Sequence, residues 1–233
     1  MKICFQILFF LTIQTIMAND FEKATLLFQQ NKLNEAQSLF ENYLKQHPNH
    51  TKTLEFLGDI AGAKKDWTLA LDYYKKIKNQ FPSNADYHYK CGGVLGMQAK
   101  EANKFKALGM LDEVEGYFLK AIKLDPKHVD ARMALVVLYM ELPAIVGGSE
   151  RKALKYAEEI DRISKKDGYL AQGTIDEYNK NYKQAEKKYL LALSIDEKYA
   201  KTLQKLYDLY VLKLKDAPKA ANIKQKMTFS NKK

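Results

Sequence analysis

Arginine, proline, cysteine and histidine are all scarce in this chain, and each scarcity removes a class of function. Of 38 basic residues only Arg132, Arg151 and Arg162 are arginine. Bidentate recognition of phosphate relies on the guanidinium fork. The net charge of +10 therefore reads as a lysine-rich, solvated surface, and no nucleic-acid partner is expected. Five prolines in 233 residues leave room for long helices. The two cysteines are Cys4 and Cys91. Cys4 lies in a leading segment expected to be removed, so no internal disulfide can form. Cys91 sits among apolar helix positions and is expected to be a buried packing thiol.

Catalytic constellations are missing as well. His47 and His50 flank Pro48 in a polar turn, and no second cluster of ligands accompanies them, so they read as turn residues and no metal or cofactor is expected. His88, beside Tyr87 and Tyr89, reads as a partly buried hydrogen-bonding residue. Gly147-Gly148-Ser149 carries neither a nucleophile elbow nor a P-loop lysine, and is read as a turn followed by a helix N-cap. Glu158, Glu159 and Asp161 fall at helical spacings among lysines, as on a solvated face, and form no acid/base dyad. The chain is not expected to be an enzyme.

What is present begins with an apolar run, Ile3 to Ile16, behind Lys2 and ending in Ile16-Met17-Ala18. This pattern predicts a secretory signal peptide over residues 1–18, because the run is short of the roughly 20 apolar residues a spanning helix needs. The protein is then exported, periplasmic or secreted, with no transmembrane span in the mature chain. An uncleaved N-terminal anchor is the alternative.

From there the chain repeats itself. Thr51 to Asn84 reads as two amphipathic helices: Leu54, Leu57, Gly58 and Ala61 mark the first, and Ala70, Tyr74 and Ile77 the second. Asp66-Trp67 lies between them and Pro82 closes the unit. Ala36 to Ala70, Phe40 to Tyr74 and Pro48 to Pro82 are each separated by 34 residues. The pattern predicts an all-α chain, an α-solenoid of stacked helix pairs in one domain from residue 19 to 233. Its repeats are expected at about 19–50, 51–84, 85–128, 129–165 and 166–199, with a terminal pair at 200–228 and a frayed tail from Thr228. The third repeat carries extra sequence around Gln98 to Glu113, with a break near Asn103, and both of its helices are expected to be long. The fourth carries a smaller insertion from Glu141 to Ser149.

On these residues the chain resembles the tetratricopeptide repeat family. The resemblance implies that a small residue on the first helix meets a small one on the second: Ala24 and Ala36, Gly58 and Ala70, Gly92 in the third unit, and Gly173 and Ala185. The segments YHYKCGG, ANKFKAL and ELPAIVGGS also resemble a group of secreted bacterial repeat proteins. Some family members clamp a C-terminal carboxylate with paired Lys and Asn, whereas Phe21 and Thr25 stand in the first repeat here.

Stacked pairs turn their first helices toward a groove. With the second repeat setting the phase, that side presents Lys52, Glu55, Asp59 and Gly62. It continues with Tyr89, Gly93, Gly96 and Met97, then Asp130, Met133, Val137 and Met140, then Leu170, Thr174, Glu177 and Tyr178. A protein or peptide partner is expected on Tyr89, Gly93, Met97, Met133, Val137, Met140, Leu170 and Tyr178, giving a non-enzymatic interaction scaffold of the cell envelope. The alternatives are burial of these residues by the long third unit, an enzyme or accessory subunit with a site in the insert loops, and a binder of cell-wall polymer or anionic surfaces through lysine.

Overall fold

Two kinds of turn, each used repeatedly, build the helix pairs. The structure is a computed structural model describing residues 20–230, so the expected signal peptide at 1–18 lies outside the described residues. Its helices are α1 (residues 20–29), α2 (Leu33–Gln46), α3 (Thr51–Ala63), α4 (Trp67–Gln80), α5 (Ala85–Glu101), α6 (Lys104–Leu108) and α7 (Leu111–Leu124). They continue with α8 (Val129–Glu141), α9 (Glu150–Ile163), α10 (Lys165–Tyr178), α11 (Tyr182–Ile195), α12 (Ala200–Asp208) and α13 (Ala217–Ser230). Among the described residues there is no strand, and no helix is long and apolar enough to cross a membrane.

Within the regular repeats, the chain reverses through a left-handed residue. Asn31, Lys65 and Lys180 have φ of 59°, 61° and 61°. The next N–H, on Lys32, Asp66 or Asn181, donates to the carbonyl five residues back on Leu27, Ala61 or Asp176, at 2.9, 2.9 and 2.8 Å. This closure satisfies carbonyls that a helix end leaves unpaired. Between repeats the chain uses a different turn. His50, Asn84, His128 and Tyr199 each donate their N–H three residues back, to His47, Phe81, Asp125 and Asp196, at 3.0, 3.0, 3.0 and 3.1 Å. Pro48, Pro82 and Pro126 occupy the second position, where their fixed φ suits the turn.

In three of these four turns the last residue then caps the next helix. Asn84 Oδ1 accepts from the N–H of Asp86 at 2.9 Å, and His128 Nδ1 accepts from Ala131 at 3.1 Å. His50 Nδ1 accepts from Thr53 at 3.3 Å, so the turn reading of His47 and His50 holds. Only a neutral imidazole can accept. Burial, and then His47, hold the His50 pKa below its ordinary 6.5. A histidine with a lowered folded pKa contributes stability that is complete above the unfolded value and fades as pH falls through the folded one. Thermal melts should therefore show α3 losing about 1 kcal/mol of capping below pH 6.5, and His50→Asn should remove His50's share of that dependence.

Of the two irregular repeats, the third lacks the left-handed reversal and the fourth makes it with a glycine. In the third, α5 has 17 residues, against 13 in α3, and stops at Ala102, where Asn103 caps the short α6 by accepting from Lys106 N–H at 3.0 Å. Only this first helix is extended, since α7 has 14 residues, as α4 does. In the fourth, Ala144–Val146 forms a 3-10 turn and Gly147 has φ of 99°. A Cβ on Gly148 would lie 1.8 Å from the Leu142 carbonyl oxygen, so only glycine fits. Ser149 accepts from Lys152 N–H at 3.2 Å, the expected N-cap.

The chain forms two compact units, divided between Tyr117 and Phe118 inside α7. The core of the first holds Ala24, Ala36, Phe40, Leu57 and Ile60. Phe56 stacks on Phe40 at 4.7 Å and meets Phe28 at 5.0 Å. Cys91 is buried there, and burial pushes its thiol up to about 11, which leaves it an inert packing group. His88 is also buried and donates from Nε2 to the Pro82 carbonyl at 2.9 Å.

In the second unit, Leu170, Ala185, Tyr189, Leu203, Leu206, Leu209, Tyr210 and Ile223 join α10 to α13. Arg132 is buried, bonding Glu159 at 2.9 Å and the His128 carbonyl at 3.2 Å. After Asp208 the chain loosens into a π-helical segment, Leu209–Leu214, and Lys215 reverses it at φ of 53°. The tail expected to fray from Thr228 stays helical to Ser230.

Candidate ligand-binding faces

The groove expected from the sequence draws on both units, and each presents its own first-helix face. In the first unit the face is built around a tyrosine. Gly58 on α3 leaves room for the Tyr74 ring of α4, since a Cβ there would lie 2.9 Å from Tyr74 Cζ. The ring is thus what meets Gly58; Ala70, its expected partner, is fully buried nearby on the same helix. The Tyr74 hydroxyl donates to Asp59, and burial followed by that bond raises its pKa far above the ordinary 10. Lys90 lies 4.9 Å over the ring and 3.5 Å from Asp59. Lys52 pairs with Glu55 at 2.6 Å.

Beyond this charged end, α5 presents an open stripe. Tyr89 is half-buried, and a Cβ added to Gly93 would meet nothing within 4 Å. Met97 is 39% exposed. The three lie four residues apart, on one side of the helix. Gly96 faces elsewhere, toward Val114 at 3.7 Å.

The second unit repeats the tyrosine device more tightly. A Cβ on Gly173 would lie 2.5 Å from the fully buried Tyr189 ring, whose hydroxyl donates to Glu177 at 2.8 Å. Lys205 approaches the same carboxylate at 3.4 Å. Here the expected ligand surface is partly core. Leu170 is 4% exposed and belongs to the hydrophobic cluster, against which Met133 packs. Val137 and Met140 are half-buried. Tyr178 donates to Glu141 at 2.7 Å, and burial, then that carboxylate, raises its pKa. Lys201 of α12 pairs with Asp130 of α8, tying the first helix of one repeat to that of the next but one.

Lysine, tyrosine and carboxylate recur as a set. Lys166 lies 4.5 Å over Tyr199 and 2.7 Å from Asp196. Lys219 lies 5.3 Å over Tyr210 and 2.7 Å from Glu186, which also accepts from Tyr210 at 2.9 Å. In each of these sets the lysine is held by a partner within the fold. Among the described residues no three metal-ligating side chains converge.

Sequence reasoning placed Tyr74 on the inner side of its helix but missed that a tyrosine ring fills the gap the glycine leaves. The signal was present: Ala24 and Phe40, Gly58 and Tyr74, and Gly173 and Tyr189 are all 16 residues apart.

Residues 21–85 match the family model described as tetratricopeptide repeat. That stretch of the chain is a tetratricopeptide repeat segment. Solved structures share the chain's fold at low identity. A thermophilic tetratricopeptide repeat protein of Thermus thermophilus, TTC0263, matches at 15% identity and a TM-score of 0.66, over 84% of this chain and 100% of that one. The MamA protein matches at 21% and 0.54, over 79% and 94%. A tetratricopeptide repeat protein of Parabacteroides merdae ATCC 43184 matches at 16% and 0.56, over 92% and 79%.

Proposed function

We propose that this chain is a tetratricopeptide repeat protein and a non-enzymatic scaffold of the cell envelope, exported through residues 1–18, that holds a segment of a partner protein on its first-helix face. Stacked helix pairs offer a long, rigid surface with adaptable side chains, the property interaction modules use.

Gly93 carries the reading. A glycine inside a helix costs about 1 kcal/mol relative to alanine. Gly58 and Gly173 offset that cost by admitting a tyrosine ring, but Gly93 admits nothing from the described residues. Between Tyr89 and Met97 it leaves bare backbone on which another chain can lie closely. Methionine and tyrosine beside it suit a partner whose side chains vary.

The test compares two glycines. Gly116 on α7 also faces open space, so Gly93→Ala and Gly116→Ala should each raise stability by about 1 kcal/mol in urea denaturation. Only Gly93→Val and Met97→Lys should weaken capture of peptides arrayed from envelope proteins, by about tenfold. Equal capture by all the variants would remove the face from the reading.

A further inference from the structure

We propose that the insertion of the first unit is a docking tip for an anionic lipid surface. The tip is α6. It buries none of its residues, so it adds nothing to the core, yet Phe105 stands 90% exposed and Leu108 47% exposed. The two are three residues apart and share one side of the helix. Lys104 and Lys106 flank the phenylalanine, and among the described residues neither has an ion-pair partner. Of the acids opening α7, Glu113 is turned to Lys75 at 3.5 Å.

That arrangement fits an interface better than a pocket. A phenylalanine and a leucine on one convex turn can sink among acyl chains. The lysine stems lie along the apolar boundary while their ammonium groups reach phosphate. The charge decides the occupant, because each lysine near an anionic surface adds attraction that a zwitterionic surface does not supply. Asn103 holds the tip in shape through its N-cap bond to Lys106, so the apolar pair is presented by fixed backbone. This surface is separate from the α5 stripe, and either reading can fail without the other.

Placing tryptophan at the tip reports on this position alone. Phe105→Trp in the full chain should shift its emission to the blue with vesicles rich in phosphatidylglycerol. It should also be quenched by acyl-brominated lipid, over the constant contribution of Trp67. Phosphatidylcholine vesicles, or about 0.5 M salt, should abolish both signals. Adding Lys104→Glu and Lys106→Glu should weaken the response by about tenfold or more. In a flotation assay Phe105→Ser should bind anionic vesicles about tenfold less than the unaltered chain. Circular dichroism should confirm that every variant keeps its helix content. No blue shift on anionic vesicles at low salt, an equal shift on phosphatidylcholine, or indifference to the lysine reversals would each overturn the proposal, including in favour of an acidic protein partner.

Discussion

Gly173→Val is expected to cost about 3 kcal/mol of stability, the upper part of the range for overpacking a filled core. The position forgives nothing. Even the Cβ alone would lie 2.5 Å from Tyr189 Cε1, 2.7 Å from Cδ1 and 3.2 Å from Lys188 Cβ. Tyr189 cannot swing aside, because its ring is fully buried and its hydroxyl is bonded to Glu177. The helix-propensity gain from losing a glycine, about 1 kcal/mol at most, opposes the clash without cancelling it. Urea denaturation should show a lower midpoint at unchanged slope. Gly58→Ala should cost less, since its closest approach, 2.9 Å to Tyr74 Cζ at the far end of the ring, is looser than the 2.5 Å at Gly173. Pairing Gly173→Val with Tyr189→Leu supplies the decisive arm. If the ring causes the penalty, the double variant is more stable than the sum of the singles by more than about 1 kcal/mol. Strict additivity would place the cause elsewhere.

That same contact shows what the chain discloses and what it withholds. The helices, their pairing and the closing prolines follow from local rules, since Pro48, Pro82 and Pro126 act on their own turns and the apolar spacing acts on its own helix. The phase of the first helices was legible too, which is why Tyr89, Gly93 and Met97 fall together on α5. Depth was not legible. Leu170 and Met133 occupy the same helical phase as residues of an open face, yet they join the core because α10 to α13 pack around them. Phase gives direction, whereas burial depends on what other segments do. The insertions resisted for the same reason. Composition marked their extra length, but only the capping of Asn103 and the fit of Gly148 under Leu142 determine where the chain breaks. The tyrosine sets lay between these cases. A constant spacing of 16 residues was there to be read, but its meaning depends on a lysine from yet another helix, as with Lys90 at Tyr74.

Glu186→Leu should release the C-terminal helix pair, at a cost of about 2 kcal/mol. Glu186 is a nearly buried carboxylate on α11 that accepts from Tyr210 at 2.9 Å and pairs with Lys219 at 2.7 Å and Lys183 at 3.5 Å. Tyr210 belongs to the π-helical segment and Lys219 to α13, so one side chain fastens both final elements to the preceding repeat. Without it, Lys219, already half exposed, regains water at little cost. The Tyr210 hydroxyl, on a buried residue, is left without an acceptor, and that sets the magnitude. Glu186→Gln keeps an acceptor for Tyr210 and should lose less.

The two variants also differ from the unaltered chain in acid. Desolvation pushes the Glu186 pKa up, but hydrogen bonds from Lys219 and Tyr210 and the nearby positive charge outweigh it, leaving the value below the ordinary 4.5. A carboxyl with a lowered folded pKa contributes stability that is present above the unfolded value and disappears as pH falls through the folded one. Melts followed by far-ultraviolet circular dichroism should show the unaltered chain weakening below pH 4.5, with less of that loss in Glu186→Gln. Amide exchange at neutral pH should localise the Glu186→Leu effect to α13 and to Leu209–Leu214. Protection in α13 unchanged by Glu186→Leu would mean that the apolar contacts of Ala220 and Ile223 hold the pair unaided.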